Sequence, residues 1–188
     1  MKKETILFAV VALIVGVLVG IIFTNARKPE RNTSSAPVSS APAVNAGQQL
    51  AMLEGIVAKE PTNSNAWVQL GNAYFDANQP MKSIDAYDKA LALKGDDPNV
   101  LTDQGIMFRK VGWFDKAVDA FERAAKADAT HAQSLFNLGV VYRYDLQDFD
   151  KAKSTWERYL KINPSGPGAD QVRAELDFIN KMPTSGNM

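Results

Sequence analysis

Side chains able to do chemistry are few in this chain, and their types point to charge recognition rather than bond making. His131 is the only histidine, and there is no cysteine among the 188 residues. Disulfides, thiolate metal sites, covalent haem attachment and cysteine nucleophiles are therefore excluded together. The lone histidine enters a turn and reads as an exposed turn residue, not as a base or a ligand. A Gly-rich phosphate loop, a G-x-S-x-G elbow and an H-E-x-x-H pair are all missing from the sequence. Asp145, Asp148 and Asp150 cluster at one turn. Their oxygens could be imagined around calcium, but helix caps and solvated turn residues are the plainer reading. Arg109, Lys110 and Arg143 remain. Arg109 and Arg143 are separated by the same interval as the recurring glycines described below, so on a scaffold of that period they would stand side by side. Guanidinium groups so placed pair well with carboxylates. The expected chemistry is non-covalent recognition, with no catalysis, no metal and no cofactor.

Charge sets a further bound. The chain carries 21 basic and 21 acidic residues. Five of the basic ones (Lys2, Lys3, Arg27, Lys28 and Arg31) and two of the acidic ones (Glu4 and Glu30) stand at or before Arg31, so acidic groups outnumber basic ones in the remainder. A mildly acidic body makes nucleic acid an unsuitable partner.

The scaffold that would position these groups is written in glycine. Gly71, Gly105 and Gly139 recur at one fixed interval. Trp67, Leu70, Gly71 and Tyr74 stand at W-x2-L-G-x2-Y, followed by Ser83, Tyr87 and Ala90. Leu101, Gly105 and Phe108, then Ala117, Phe121 and Ala124, repeat that framework. Leu135, Leu138, Gly139 and Tyr142 do so again, followed by Ala152, Trp156 and Tyr159. The last three are displaced by one residue, which predicts a longer turn around Leu146 to Phe149. Tyr159 replaces a small residue and is expected to pack under whatever covers the last repeat. Pro61 and Pro164 bracket the array. A fixed period of about 34 residues, with small and aromatic residues in phase, is the mark of a helix–turn–helix solenoid.

This pattern resembles the tetratricopeptide repeat family. The resemblance implies an all-α solenoid of three helix-turn-helix repeats, about 64–97, 98–131 and 132–165, inside a domain of 47–182. Apolar stripes predict a flanking helix on each side. Leu50, Leu53 and Val57 form one stripe; Ala169, Val172, Leu176 and Ile179 form the other, in a capping helix over 168–182. Residues 183–188 read as a flexible tail, and no strand is expected. Asp97 before Pro98 reads as a helix start.

The resemblance also implies that a partner lies in the concave groove formed by the first helix of each repeat. Carried over by register, the groove residues are Asn65, Asn72 and Phe75 in the first repeat; Ile106, Arg109 and Lys110 in the second; and Phe136, Asn137, Val140, Arg143 and Tyr144 in the third. Apolar residues in the middle, amides, and a basic end suit an extended peptide or a partner helix. Arg109 and Arg143 are expected to meet acidic groups on it. Trp113 sits one step ahead of the usual turn aromatic, Phe114, and is expected to be an exposed contact residue. The family's clamp for a C-terminal carboxylate is not expected. Asn72 matches it, but Val68 replaces a lysine and Asp103 replaces an asparagine.

Before the repeats, the run from Thr5 to Phe23 carries no charged residue. As a helix it would extend roughly 29 Å, close to the hydrocarbon thickness of a bilayer. Lys2 and Lys3 precede it; Arg27, Lys28 and Arg31 follow. A cleaved signal peptide is the rival reading, yet the apolar core of such a signal is usually about 7–15 residues. Residues 1–24 are therefore expected to form a membrane anchor acting through residues 5–23. Gly16 and Gly20 form a G-x-x-x-G that would serve a homodimer contact. Residues 25–46, rich in Ser, Pro and Ala, have too little apolar surface to fold and read as a linker.

The expected protein is a single-span adaptor or scaffold in a bacterial cytoplasmic membrane, with its repeats on the periplasmic side. Two narrower readings compete. One is a repeat subunit of cytochrome c haem-attachment machinery that holds an apocytochrome. The other is a docking receptor facing the cytoplasm.

Overall fold

The computed structural model describes residues 45–182. The expected anchor, its G-x-x-x-G, nearly all of the linker and the tail fall outside that range. No helix among the described residues is long and apolar enough to cross a membrane.

Eight α-helices follow one another, with no strand among the described residues. They are α1 (Ala46–Lys59), α2 (Ser64–Asp76), α3 (Pro80–Lys94), α4 (Pro98–Lys110), α5 (Phe114–Ala127), α6 (Ala132–Val140), α7 (Phe149–Ile162) and α8 (Pro167–Lys181). Several starts have a local cause. Asn45 caps α1, in a capping box with Gln48. Asn63 caps α2, and Asp97 caps α4 just ahead of Pro98. Such caps satisfy amide groups that have no partner inside the helix.

Helices α2/α3, α4/α5 and α6/α7 form three antiparallel pairs, with α1 and α8 packed at the two ends. The pairs close on their glycines. A Cβ built on Gly71 would lie 2.5 Å from the Tyr87 ring, one on Gly105 2.6 Å from Phe121, and one on Gly139 2.1 Å from Trp156 Nε1. Ser83 Oγ also donates to the Gly71 carbonyl at 2.9 Å, and Trp156 Nε1 donates to Phe136 O at 3.2 Å. The aromatic ring thus fills the volume that a side chain would have taken. Tyr159 repeats the device at the end of the array. It is 4% exposed, and its hydroxyl lies where a Cβ on Gly168 of α8 would be, 2.5 Å away. The capping helix is what covers it.

The core is linear. Leu53, Val57, Ala66, Leu70, Tyr74 and Ala86 form one cluster at the front. A second cluster runs from Ile84 and Tyr87 through Phe121 and Trp156 to Val172 and Ile179. No repeat buries its apolar face alone, and each neighbour completes the last.

The displaced third repeat resolves in an unexpected way. In the first two repeats a backbone bond closes the turn from Gln79 N to Tyr74 O and from Trp113 N to Phe108 O. In the third it runs from Asp148 N to Tyr142 O, one residue longer. The extra residue is taken up mainly inside the helix, where α6 continues as a π-turn over Val141–Asp145. The expected longer loop is therefore a widened helix end, a known way to absorb an insertion.

The contact distances set a stability test. Gly105→Ala should cost about 1–3 kcal/mol, and Gly105→Leu more, because Phe121 is held on all sides and cannot withdraw. Urea unfolding measures this, and an unchanged midpoint for both variants would show that the α4–α5 contact is not close-packed.

Candidate functional site

Helices α2, α4 and α6 lie at successive positions of the array and carry the groove residues expected from the sequence. Val68, Phe75, Ile106, Phe136 and Val140 are half-buried against the core, each keeping a face outside it. Phe136 also meets Tyr159 in a tilted contact at 5.7 Å. Asn65 is exposed beside Ser64, Val68, Leu91 and Asn99 at the rim of a hollow. Asn72 accepts a hydrogen bond from the Tyr87 hydroxyl at 2.7 Å, so part of its amide is committed within the domain.

The basic end differs from expectation. Arg109 forms a two-point ion pair with Asp145, with Nη2 to Oδ1 at 3.3 Å. Arg143 pairs with Glu175 of α8 at 3.3 Å, and its side chain is only 14% exposed. The rings of Tyr144, Phe149 and Phe178 surround that guanidinium at 5.1, 5.1 and 4.8 Å. Each arginine thus finds its anion within the chain, and neither offers a free guanidinium to a partner. The π-turn explains the first pair, because it places Asp145 across from Arg109. The capping helix explains the second. Tyr144 is exposed, and its hydroxyl donates to Glu175, a bond that makes the hydroxyl hold its proton more tightly than usual. Lys110 is exposed with no ion-pair partner among the described residues.

Trp113 is 38% exposed, as its position suggests, and its ring lies 6.0 Å from that of Phe108 in α4. It lines a hollow with Gly112, Phe114, Lys116 and Leu146, and the Lys116 ammonium sits 4.3 Å over its ring. Asp148 caps α7 by accepting from Lys151 N, and that backbone bond holds its carboxyl below the usual carboxylate range.

Three features escaped the sequence reading. His131 is not a free turn residue. It caps α6, with Nδ1 accepting from Ser134 N at 3.3 Å, and its Nε2 lies 3.2 Å from Asn99 Oδ1. Accepting at Nδ1 places the proton on Nε2, which then donates to Asn99 and ties the third repeat to the second. Asn137 Nδ2 is buried and is the one such side-chain atom without a partner among the described residues. Asp103 is half-buried and makes no hydrogen bond or ion pair with any described residue. Burial pushes its carboxyl up, and Asp76 and Asp97 push it further, against the pull of His131. Burial likewise raises the Tyr87 hydroxyl, with Asp103 adding to it.

A raised carboxyl makes the folded state bind a proton more readily than the unfolded chain, so Asp103 opposes folding once ionised. Its unfavourable contribution should appear as pH rises from 3.8 through the raised value. Asp103→Asn should therefore be more stable than the parent near neutral pH, and the difference should shrink as acidity approaches the ordinary carboxylate range. Urea unfolding of both proteins across that interval checks the sign; a less stable variant at neutral pH would refute it.

Comparison with known proteins agrees with this geometry. Residues 64–97 and 102–170 match two sequence profiles, each described as tetratricopeptide repeat, and together they span more than half the chain. Protein O-mannosyl-transferase TMTC1 of Mus musculus is 28% identical over 130 residues. The match covers 67% of this chain but only 14% of that protein's length. In structure, MamA superposes with a TM-score of 0.64 at 20% identity, covering 72% of this chain and 83% of MamA. The first repeat domain of Spaghetti (RPAP3), solved with an HSP90 peptide bound, has a TM-score of 0.56 at 21% identity, covering 63% and 93%. With its register, its paired helices and its glycine contacts in agreement, the chain belongs to the tetratricopeptide repeat family.

Proposed function

We propose that this protein is a protein-binding adaptor that holds an extended segment of its partner along α2, α4 and α6. The observation that carries this reading is the row of half-buried apolar residues on those helices, together with the unpaired amide of Asn137 among them by register. Half-covered apolar groups supply affinity, and a buried donor without an acceptor is a group a peptide carbonyl would satisfy. The peptide bound by the RPAP3 repeat domain supports the reading by analogy of fold. The length match to TMTC1 is too short to bring a transferase activity with it.

The partner surface on this reading comprises Asn65, Phe75, Ile106, Phe136, Asn137 and Val140, with Lys110 at its edge. Arg109 and Arg143 act by fixing the groove's far end. Phe75→Ala/Ile106→Ala should weaken partner binding by at least about tenfold, roughly 1.4 kcal/mol. Lys89→Ala/Lys126→Ala, on second helices, should leave it unchanged. Equal losses from both pairs would remove the groove assignment.

The same proposal places residues 5–23 in the cytoplasmic membrane, with residues 25–44 as a tether and the repeats outside. It rests on the uncharged run from Thr5 to Phe23 and on the lysines before it. Protease added to cells with a permeabilised outer membrane should digest the repeats while the N-terminal segment stays with the membrane. Full protection, or release of a soluble form lacking its N-terminus, would overturn this. Recovery of a haem-lyase subunit or an apocytochrome with the solubilised protein would narrow the adaptor to cytochrome c maturation.

A further inference from the structure

The groove is not uniform in charge, and its two ends differ in whether their charges are satisfied. At the far end both arginines are neutralised by Asp145 and Glu175. Between α2, α3 and α4 the reverse holds. Asn72, Phe75, Asp76, Tyr87 and Asp103 line a hollow of about 240 Å³. Neither Asp76 nor Asp103 has an ion-pair partner among the described residues, although seven other pairs form there. Asp103 is half-buried, so it has lost water without gaining a donor. A half-buried carboxylate without a cation, with a second carboxylate beside it that pushes it up, is complementary to a positive charge from outside.

We propose that this hollow receives a lysine or arginine side chain of the partner segment held in the groove. The proposal rests on the peptide-binding reading above and adds the partner's chemistry. The ligand's methylene stem lies on Phe75 and its charged head reaches Asp76 and Asp103, as long cationic side chains pack when half-buried. The Tyr87 hydroxyl, already donating to Asn72, closes the floor. A metal ion suits the hollow poorly. No group of three or more His, Cys, Asp or Glu residues is placed to hold one among the described residues, and calcium takes about 6–8 oxygens. An acidic segment is disfavoured, because Asp103 would face it.

The test uses the full chain, kept soluble in nonionic detergent, against arrays of blocked heptapeptides with apolar flanks and Lys, Arg, norleucine or Glu at the centre. The acidic peptide SRMEEVD serves as a further probe. Lys- and Arg-centred peptides should be retained at least about tenfold better than norleucine-centred ones, with the preference falling as salt rises. Asp76→Asn/Asp103→Asn should erase that preference and leave norleucine-centred binding intact; these near-isosteric changes are checked for folding by circular dichroism. Binding without charge preference, or a preference that survives the double substitution, overturns the inference and leaves the groove reading standing. Better retention of Glu-centred peptides or SRMEEVD overturns it also. No binding of any peptide overturns both. Calorimetric binding of calcium alone, abolished by the double substitution, would reassign the hollow to a metal.

Discussion

Everything in this domain depends on the closeness with which an aromatic ring lies on a glycine. Tyr87 on Gly71, Phe121 on Gly105 and Trp156 on Gly139 bring the two helices of each repeat nearer than any side chain would allow. That approach fixes how far one repeat stands from the next, and so where the first helices line up. The groove, the ion pairs at its far end and the hollow at its near end all inherit their geometry from it. Because interiors are close-packed, a small shift at a glycine is passed on rather than absorbed.

Polar groups follow a different logic along the same scaffold. Most find partners across a repeat boundary: Arg109 with Asp145, Tyr142 with Glu122, Gln104 with Asp88, His131 with Asn99. These contacts tie neighbours together where the apolar clusters alone would permit sliding. Asp103 and Asn137 stand out because each is half-buried, yet the Asp103 carboxyl and the Asn137 Nδ2 are left without a partner among the described residues. They occupy equivalent positions in successive repeats, one full period apart. Stability given up at two equivalent places on one face is the pattern expected of a surface shaped for something else.

The repeat fold could be read from the sequence because its determinants are local in type and regular in spacing: a small residue, an aromatic, a fixed interval. The capping helix was legible for the same reason, in the stripe Ala169, Val172, Leu176, Ile179. The state of the arginines was not. Arg109 meets Asp145 only because one extra residue widens the end of α6, and Arg143 meets Glu175 only because α8 packs where it does. Register predicts which way a side chain leaves its helix but not what a neighbouring element brings to meet it. His131 was misread similarly, since its capping role depends on the bond to Ser134 N rather than on the residue's type.

The π-turn at Val141–Asp145 has a consequence for how such a groove changes over generations. It accommodates an added residue after the glycine contact and before the second helix, so the Gly139–Trp156 packing is untouched. Only the residues within and just after it, Tyr144 and Asp145 among them, are swung to a new azimuth. A single inserted or deleted codon at this point can therefore re-aim several recognition side chains at once while the scaffold stays intact. Substitution would have to alter each of them separately. Repeats of otherwise equal length gain in this way a means of diversifying what they hold.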